Sequence, residues 1–240
     1  MVREKIKRVP EYKEVVYSER QWKILSQLRE EAIRILKVIA KAGITAYVHG
    51  SVARGDVWEG SDVDVFIPYY TPSYRLEYIL ESSGYTIKAR FIVIATPSST
   101  PKAYIILDDL EKRVVSFPLA KLQTREYEFY KFGGLLDLNG LLQGKRVPGV
   151  DKRLVLIEPT EKGHRESPVI GYEDRVAELL GISIDTVLER IRVLSRRDRV
   201  GRTGVFVKYV LGPDESFEDA LQSIARDNPW VRRVLRERGV

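Results

Sequence analysis

Apolar residues recur along the chain at two different spacings, and each spacing predicts a different kind of element. Over residues 19–42 they recur every three or four positions, which predicts a long amphipathic helix that Ser18 can cap and Gly43 ends. A second helix is predicted over residues 72–83. Short apolar runs bounded by turn residues predict strands at residues 44–49, 63–68, 85–96, 102–107 and 113–117. This order indicates an α+β fold with a mixed sheet of about four or five strands.

The pattern changes after residue 120, where glycine and proline become frequent. Gly140, Gly144 and Gly149 place a connecting region over residues 121–150. The rest of the chain alternates short helices and strands, with predicted elements at residues 154–157, 172–180, 183–195, 205–211 and 216–238. We therefore expect a first domain over residues 1–120, which includes the N-terminal helix, and a second, mostly helical domain over residues 151–240.

The composition excludes several kinds of site. The chain has 240 residues and no cysteine, so disulfides, zinc–thiolate sites and cysteine nucleophiles are excluded. Only two histidines are present, so a metal ion here would be a hard cation held by carboxylates. The net charge of +6 favours a polyanionic partner such as a nucleotide or a nucleic acid.

Hydropathy and residue usage predict the cellular location and the thermal stability of the protein. No run of about 18 apolar residues is present, so no membrane partner is expected. The charged N-terminus lacks the apolar core of a secretory signal, and we therefore expect a cytoplasmic protein. Few asparagines and glutamines, together with abundant Arg, Lys and Glu, are typical of a thermophilic protein, an expectation that a mesophilic melting temperature would contradict.

A pair of aspartates carries the first sign of specific chemistry. Asp62 and Asp64 lie two positions apart in a predicted strand, so both carboxylates leave the same face. Two carboxylates held this close repel each other unless a cation lies between them. Mg²⁺, or Mn²⁺ in its place, suits such a pair because it completes its coordination with phosphate oxygens and water.

A second candidate element precedes the aspartates. Gly50 and Ser51 lie where a predicted strand ends and a short helix over about residues 52–55 begins. Such a junction offers free backbone N–H groups to a phosphate, and the serine hydroxyl adds a donor. Arg54 follows and can neutralise phosphate charge. The combination predicts a site for a nucleotide and a metal ion.

The order Gly50-Ser51-x-x-Arg54-Gly55-Asp56, followed by Ser61-Asp62-x-Asp64, resembles the signature of the DNA polymerase β-like nucleotidyltransferase superfamily. It is most similar to the small prokaryotic predicted nucleotidyltransferases. The resemblance implies Mg²⁺- or Mn²⁺-dependent transfer of a nucleoside monophosphate from a nucleoside triphosphate to a hydroxyl group. It also implies that Gly50, Ser51, Arg54 and Ser61 bind the nucleotide, and that Asp62 and Asp64 are catalytic and hold the metal.

One departure from the family pattern concerns a third carboxylate, which active members usually supply from a later strand. The corresponding predicted strand carries Val115 and Ser116 instead. The nearest substitutes are Asp108 and Asp109, and we take Asp108 as the candidate third catalytic residue. The alternative is that these two aspartates cap a hairpin turn.

The C-terminal region carries a second resemblance. Residues 175–194 resemble a helix-turn-helix, and the turn at residues 201–204 resembles the wing of a winged-helix domain. Residues 190–208 contain seven Lys and Arg side chains against one acid, which favours contact with nucleic-acid phosphates. The candidate contacts are Arg196, Arg197, Arg199 and Arg202. The alternative is a small helical packing module with a solvated arginine face.

Three functions are compatible with these features. The leading hypothesis is a Mg²⁺-dependent nucleotidyltransferase that acts on a hydroxyl acceptor, either RNA, the favoured acceptor, or another hydroxyl compound. The second is a non-catalytic factor that binds nucleotide or nucleic acid on a degenerate nucleotidyltransferase fold. The third is a protein-modifying transferase or an antitoxin-type partner.

Overall fold

The computed structural model describes residues 6–7, 11–201 and 204–239, and these residues divide into two compact units. Of the described residues, the first unit contains those within 1–33, 48–61 and 124–203, and the second contains those within 34–47, 62–123 and 204–240. Each unit is therefore assembled from separate stretches of chain. This division differs from the predicted sequential one, whose boundaries lay near residues 120 and 150.

The helices and strands follow one another along the whole chain. In order they are β1 (Lys13–Val16), α1 (Glu19–Lys41), β2 (Tyr47–His49), α2 (Ser51–Arg54), β3 (Val63–Phe66), α3 (Ser73–Ser82), β4 (Ala89–Ile94), β5 (Lys102–Ile106), β6 (Arg113–Pro118), α4 (Thr124–Gly133), β7 (Leu135–Asp137), α5 (Leu138–Leu142), β8 (Gly149–Val150), β9 (Val155–Thr160), β10 (Gly163–Pro168), α6 (Glu173–Leu180), α7 (Ile184–Val200), β11 (Val207–Val210), α8 (Phe217–Asp227) and α9 (Pro229–Glu237). None of the helices in the described part of the chain has the length and apolar content needed to span a membrane.

The first unit is built on a four-stranded antiparallel sheet in the order β1-β10-β9-β8. Helices α4, α6 and α7 enclose an apolar core with this sheet. The buried members of that core are Ile6, Phe132, Val150, Leu154, Leu156, Val169, Val176, Ala177, Val187 and Leu194. The buried residues of α6 and α7 thus pack in this core, whereas the exposed positions of α7 include the apolar Ile184, Leu188 and Val200 as well as polar residues.

Two helices predicted from the sequence, over residues 172–180 and 183–195, are present as α6 and α7. Gly181 ends α6 in the left-handed conformation, with φ of 59°. The Ser183 hydroxyl then caps α7 by accepting the Thr186 N–H at 3.2 Å. A glycine in the turn followed by a serine cap is the pattern from which these two helices were predicted.

The second unit contains a five-strand run in the order β11-β4-β5-β6-β3. Strands β3 and β6 are parallel, whereas the other neighbouring pairs are antiparallel. Alternation buries Val63 and Val65 of β3 on one face, together with Val115 of β6. On α8, Phe217 packs edge-on against Phe117, with ring centroids 5.6 Å apart. This mixed sheet with flanking helices confirms the predicted α+β fold class.

The end of the chain departs from the predicted winged-helix arrangement. Strand β11 pairs with β4, with Val210 opposite Phe91, and so extends the sheet of the second unit instead of forming a wing. Arg202 and Thr203 lie outside the described residues. The single helical region predicted over residues 216–238 is two helices, because Asn228 ends α8 and Pro229 opens α9.

We predict that Gly163→Ala destabilises the pairing of β1 with β10. A Cβ atom at Gly163 would lie only 1.9 Å from the Val15 carbonyl oxygen, so one strand must move. We expect a loss of about 1–3 kcal/mol in the free energy of unfolding, as for other overpacked sites. Urea denaturation measures this loss. Gly212→Ala is the matched control, because the nearest atoms to its Cβ lie at 4.0 Å; equal stability of the two variants would contradict the prediction.

Candidate active site

The loop at Gly50 has a backbone conformation that favours glycine. Gly50 follows β2 with φ of 80° and ψ of −142°, and no atom lies within 4 Å of the position its Cβ would take. Its N–H donates to the Gly134 carbonyl at 2.9 Å, and its carbonyl accepts the N–H groups of Ala53 and Arg54. Ser51 and Val52 therefore occupy the first turn of α2, where a helix has no acceptor for its own N–H groups. The loop is suited to meet an anion.

Arg54, predicted to contact phosphate, has a different role in the structure. Its side chain is buried and forms a bidentate pair with Asp56, at 2.9 and 2.8 Å, and donates to the Gly133 carbonyl at 2.5 Å. A guanidinium engaged in this way holds the loop together. We correct the prediction accordingly and leave Arg54 out of the phosphate contacts.

Two further arginines of the first unit contact the turn formed by α2. Arg29 of α1 donates to the carbonyls of Val52 and Ala53 at 3.1 and 3.2 Å, at the end of α2. Burial lowers the pKa of Arg29 to about 10, and the charge of Arg146 adds to this effect. Arg146 lies against Gly55, where a Cβ would be 2.5 Å from its Cδ. These contacts make the turn rigid, which pre-organises a binding loop.

The two serines of the predicted nucleotide site are close together in the first unit. The Ser51 hydroxyl donates to the Ser61 hydroxyl at 3.4 Å. Ser61 also accepts the Trp58 N–H at 3.0 Å, which closes the loop between α2 and β3. The Trp58 ring lies over Gly60 and is 62% exposed. The structure thus brings Gly50, Ser51 and Ser61 into one loop region.

The aspartate pair belongs to the second unit, at the start of β3. Asp62 is exposed and Asp64 is half-buried, whereas their neighbours Val63 and Val65 are buried. In the parallel pairing Asp64 lies opposite Val114 of β6. Burial, with a contribution from the Asp64 carboxylate, raises the pKa of Tyr104 to about 12. The alternation predicted for this strand therefore holds, and it leaves the two carboxylates on the less buried face.

The structure places no acid of β5 or β6 on the face that carries Asp64. By strand register this face carries Val114 and Ser116 of β6, and Tyr104 and Ile106 of β5. Within the described ranges no cluster of three His, Asp or Glu side chains could hold a metal ion. On this face of the second unit, Asp62 and Asp64 are therefore the candidate carboxylates, and β5 and β6 add no further acid to them.

Asp108, the candidate third catalytic residue, is engaged in the hairpin between β5 and β6. Its carboxylate accepts the backbone N–H groups of Lys112 and Arg113 at 2.8 and 2.9 Å, and pairs with the Arg113 guanidinium at 2.9 Å. Asp109 is exposed and pairs with Lys88 at 3.1 Å. This geometry favours the alternative reading, a hairpin cap, and we correct the catalytic assignment of Asp108 accordingly.

The predicted nucleic-acid contacts lie on the last turns of α7 in the first unit. Arg196, Arg197 and Arg199 are exposed there, and Arg202 lies outside the described residues. Arg190 of the same helix instead covers the Phe129 ring at 4.7 Å, and burial lowers its pKa to about 10. Arg190 therefore packs against an aromatic ring, whereas Arg192 and the three arginines at the end of α7 are exposed.

A buried polar network in the first unit was not predicted from the sequence. Tyr17 and His164 share a hydrogen bond of 2.8 Å between the hydroxyl and Nδ1. Glu166 lies 3.6 Å from His164 and accepts from Arg153 at 2.6 Å. Burial lowers the pKa of His164, although the charges of Asp56 and Glu166 act in the opposite direction. Tyr17 directly follows β1, His164 and Glu166 lie in β10, and Arg153 precedes β9, so only long-range pairing brings them together.

We predict that His164 makes the stability of the protein depend on pH below about 6.5. The lowered pKa means that the unfolded chain binds this proton more readily than the folded one. The stabilisation is therefore complete above the unfolded pKa of about 6.5 and declines as the pH falls below it, by at most about 1.4 kcal/mol per pH unit. Urea unfolding between pH 7.5 and 5.0 measures this slope.

The variant His164→Gln isolates the effect of His164. Glutamine can still accept a hydrogen bond from the Tyr17 hydroxyl, and the other histidine, His49, is present in both the variant and the wild type. We expect a flatter pH dependence in the variant. The pKa of Glu166 is also lowered, so the stabilisation that Glu166 provides is lost only below about pH 4.5. This loss does not overlap with the loss caused by His164. The same slope in the variant and the wild type would contradict the assignment.

The comparisons with known proteins bear on the same region. Residues 25–117 match the family model of the nucleotidyltransferase domain. This stretch includes the Gly50 loop, the aspartate pair and β6, and it ends before the connecting region. No curated protein and no solved structure shows a significant match to the chain.

Proposed function

We propose, from the match of residues 25–117 to the nucleotidyltransferase domain family, that the chain moves a nucleoside monophosphate from a nucleoside triphosphate to a hydroxyl group of RNA, with Mg²⁺ or Mn²⁺. The observation that carries this proposal is the pair Asp62 and Asp64 at the start of β3. Within the matched region these aspartates follow the Gly50 loop at the spacing from which the site was predicted.

The carboxylates of Asp62 and Asp64 fit a hard divalent cation. Mg²⁺ is usually bound by one or two carboxylates together with substrate phosphates and water, rather than by a cage of protein ligands. The absence of a third acid on the Asp64 face of β5 and β6 agrees with that mode. When bound, the ion would neutralise the charge that develops on the phosphate oxygens.

The remaining roles belong to side chains and backbone of the Gly50 loop. The Ser51 hydroxyl and the N–H groups of Ser51 and Val52 bind the triphosphate and orient it for in-line attack. The acceptor oxygen forms a bond to the α-phosphorus while the bond to pyrophosphate breaks. Since Asp108 is engaged in its hairpin, the acceptor proton passes to water, and we expect slow transfer.

A second candidate function is favoured by the same observation about Asp108. A site with two carboxylates and no third acid binds nucleotide and metal without the group that would help to remove the acceptor proton. In this case the chain is a nucleotide- or RNA-binding factor. The transfer experiment below separates the two functions.

We predict that transfer depends on both aspartates. Purified protein, Mg²⁺ or Mn²⁺ and each α-labelled nucleoside triphosphate are incubated with total RNA, and the label in RNA and in protein is measured. We expect Asp62→Asn and Asp64→Asn each to lower transfer to below roughly 1% of the wild-type rate. Asp109→Asn, which removes the same charge from an exposed hairpin side chain, is the matched control and should transfer normally.

The outcomes of this assay distinguish the proposals. Label in RNA that requires both aspartates supports the transferase and its acceptor. Label in protein alone would replace RNA by a protein acceptor. Absence of label, with nucleotide still bound, would support the binding factor. Transfer that survives in both variants would remove the catalytic assignment.

We further propose that the exposed end of α7 holds the RNA through Arg196, Arg197 and Arg199, with Arg202 as a further candidate. We predict that Arg196→Gln combined with Arg197→Gln weakens binding of a single-stranded RNA. Two lost phosphate contacts should reduce the slope of log K against log salt by about 1.4. Fluorescence anisotropy at several salt concentrations measures this slope.

The control for this experiment is Lys23→Gln combined with Lys37→Gln, which removes the same charge from exposed positions of α1. We expect its salt slope to stay near that of the wild type. An unchanged slope in the α7 variant, or an equal loss in the control, would exclude α7 as the RNA contact.

A further inference from the structure

We propose that a pocket formed by α8, α9 and the ends of β3 and β6 binds a nucleotide unit, either a free nucleoside monophosphate or one residue of a single-stranded RNA. The pocket lies within the second unit and has a volume of about 630 Å³. Small-ligand sites typically have volumes of roughly 300–1,000 Å³. This inference goes beyond the proposed function, since binding in this pocket requires neither a metal ion nor transfer.

The floor of the pocket is apolar and well anchored. Leu119, Leu221 and Leu235 line it, and each of them is buried. Tyr70 lines it as well, but its side chain remains 47% exposed. An apolar floor with an accessible aromatic ring fits a flat ring system, because bases stack on aromatic side chains whatever their sequence.

The position of the pocket in the sheet supports a binding role. Leu119 directly follows β6, and Tyr70 lies four residues after the end of β3. Since β3 and β6 are the parallel pair, both residues lie beyond the carboxyl ends of parallel strands. In open α/β sheets ligands bind in the crevice at these ends.

The rim of the pocket carries the charge that a phosphate needs. Arg226 and Arg232 both line the pocket, and both are exposed. Arg232 donates to the carbonyls of Ala225 and Arg226 at 3.1 and 2.8 Å, which fixes its guanidinium at the end of α8. A guanidinium held in this way loses little freedom when it pairs with a phosphate.

The acid that lines the pocket, Glu218, offsets only one of the two arginine charges. The Glu218 carboxylate accepts hydrogen bonds from the Ser73 N–H at 2.9 Å and from the Ser73 hydroxyl at 2.6 Å. It therefore caps the first turn of α3. Gln222 adds an exposed amide to the lining. One amide supplies both a donor and an acceptor, as the edge of a base requires.

These features together select the ligand class. A lone phosphate would contact the arginines and leave the floor unused. A fatty acid would cover the floor and leave the Gln222 amide without a complementary partner. A nucleotide unit uses all three features, with the base on the floor against Tyr70, its edge at Gln222 and its phosphate at Arg226 and Arg232.

The test is equilibrium binding to the full chain in EDTA, where metal-dependent binding of a triphosphate is absent. The probes are AMP, inorganic phosphate, a fatty acid and a fluorescent octanucleotide RNA. We expect AMP or the octanucleotide to bind saturably.

Two variants test whether this binding takes place in the pocket. Ala225→Phe fills the pocket, and Arg226→Gln removes one guanidinium; we expect each to weaken binding about tenfold or more. If AMP competes with the octanucleotide, the site accepts the free nucleotide; if only the RNA binds, it accepts a residue of a strand.

Matched controls keep the inference falsifiable. Arg233→Gln removes the same charge from α9 at a side chain that pairs with Glu237 and does not line the pocket. A further variant, Tyr70→Leu, removes the ring on which the base would stack and should also weaken binding. Its control is Tyr78→Leu, on the exposed surface of α3. Circular dichroism checks that Ala225→Phe is folded, and Arg226→Gln changes only an exposed side chain. We expect both controls to bind within about twofold of the wild type.

Several results would overturn the pocket assignment. The first is the absence of saturable binding of AMP and of RNA. The second is a loss of affinity in the control variants equal to that in the pocket variants. The third is displacement of the octanucleotide by inorganic phosphate or a fatty acid as effectively as by AMP. Failure of the proposed transfer function is distinguishable, because Asp62→Asn with Asp64→Asn abolishes transfer but should bind these probes in EDTA like the wild type.

Discussion

The candidate phosphate loop depends on a buried pair of charges, Arg54 and Asp56. Both side chains are largely withdrawn from water, and their two hydrogen bonds of 2.9 and 2.8 Å compensate the loss of hydration. Such a pair is costly to break, because either partner alone would be left as a buried charge. Its geometry fixes the turn that follows Gly50, and with it the positions of the N–H groups that a phosphate would meet.

Glycines near the connecting region leave room for the Arg54 side chain of this pair. A Cβ at Gly149 would lie 2.9 Å from Arg54 Cδ, and one at Gly134 would lie 2.8 Å from Arg54 Cγ. Gly133 supplies the carbonyl that accepts from Arg54, and its own Cβ would collide with His49. Glycine is therefore required here by close approach, and the region that reads as a flexible connection is a tightly packed part of the first unit.

In the second unit, the central constraint is strand alternation. It buries Val63 and Val65 and leaves Asp62 and Asp64 to share the other face with Ser116 and Tyr104. The neighbouring strands supply no acid there, and Asp108 is engaged by two backbone N–H groups and Arg113. Under the proposed function, the two carboxylates would supply part of the ligand set of a metal ion, and the phosphates of a nucleoside triphosphate would supply more of it. The same arrangement explains why transfer and simple binding remain the two functions to be separated by experiment.

Local patterns in the sequence predicted a large part of this protein. The apolar periodicity of residues 19–42 and 72–83 predicted α1 and α3 to within about one residue. The spacing of Asp62 and Asp64 predicted that both carboxylates would leave one face of a strand. These features are determined locally, because helix and strand periodicity depend on side chains only a few positions apart.

Only the tertiary structure decided which charged residues are available and which elements pair. Strands β1 and β10 are polar and lie about 150 positions apart, so their pairing has no local signal. Strand β11 follows a turn that resembles a wing, yet it pairs with β4. The sequence suggested Arg54 for phosphate binding and Asp108 for catalysis, but the fold engages the first in a buried pair and the second in a hairpin. The sequence determined which chemical groups are present and their local periodicity. Long-range packing decided their roles, because a charged group taken out of water must be paired by whatever partners the fold brings to it.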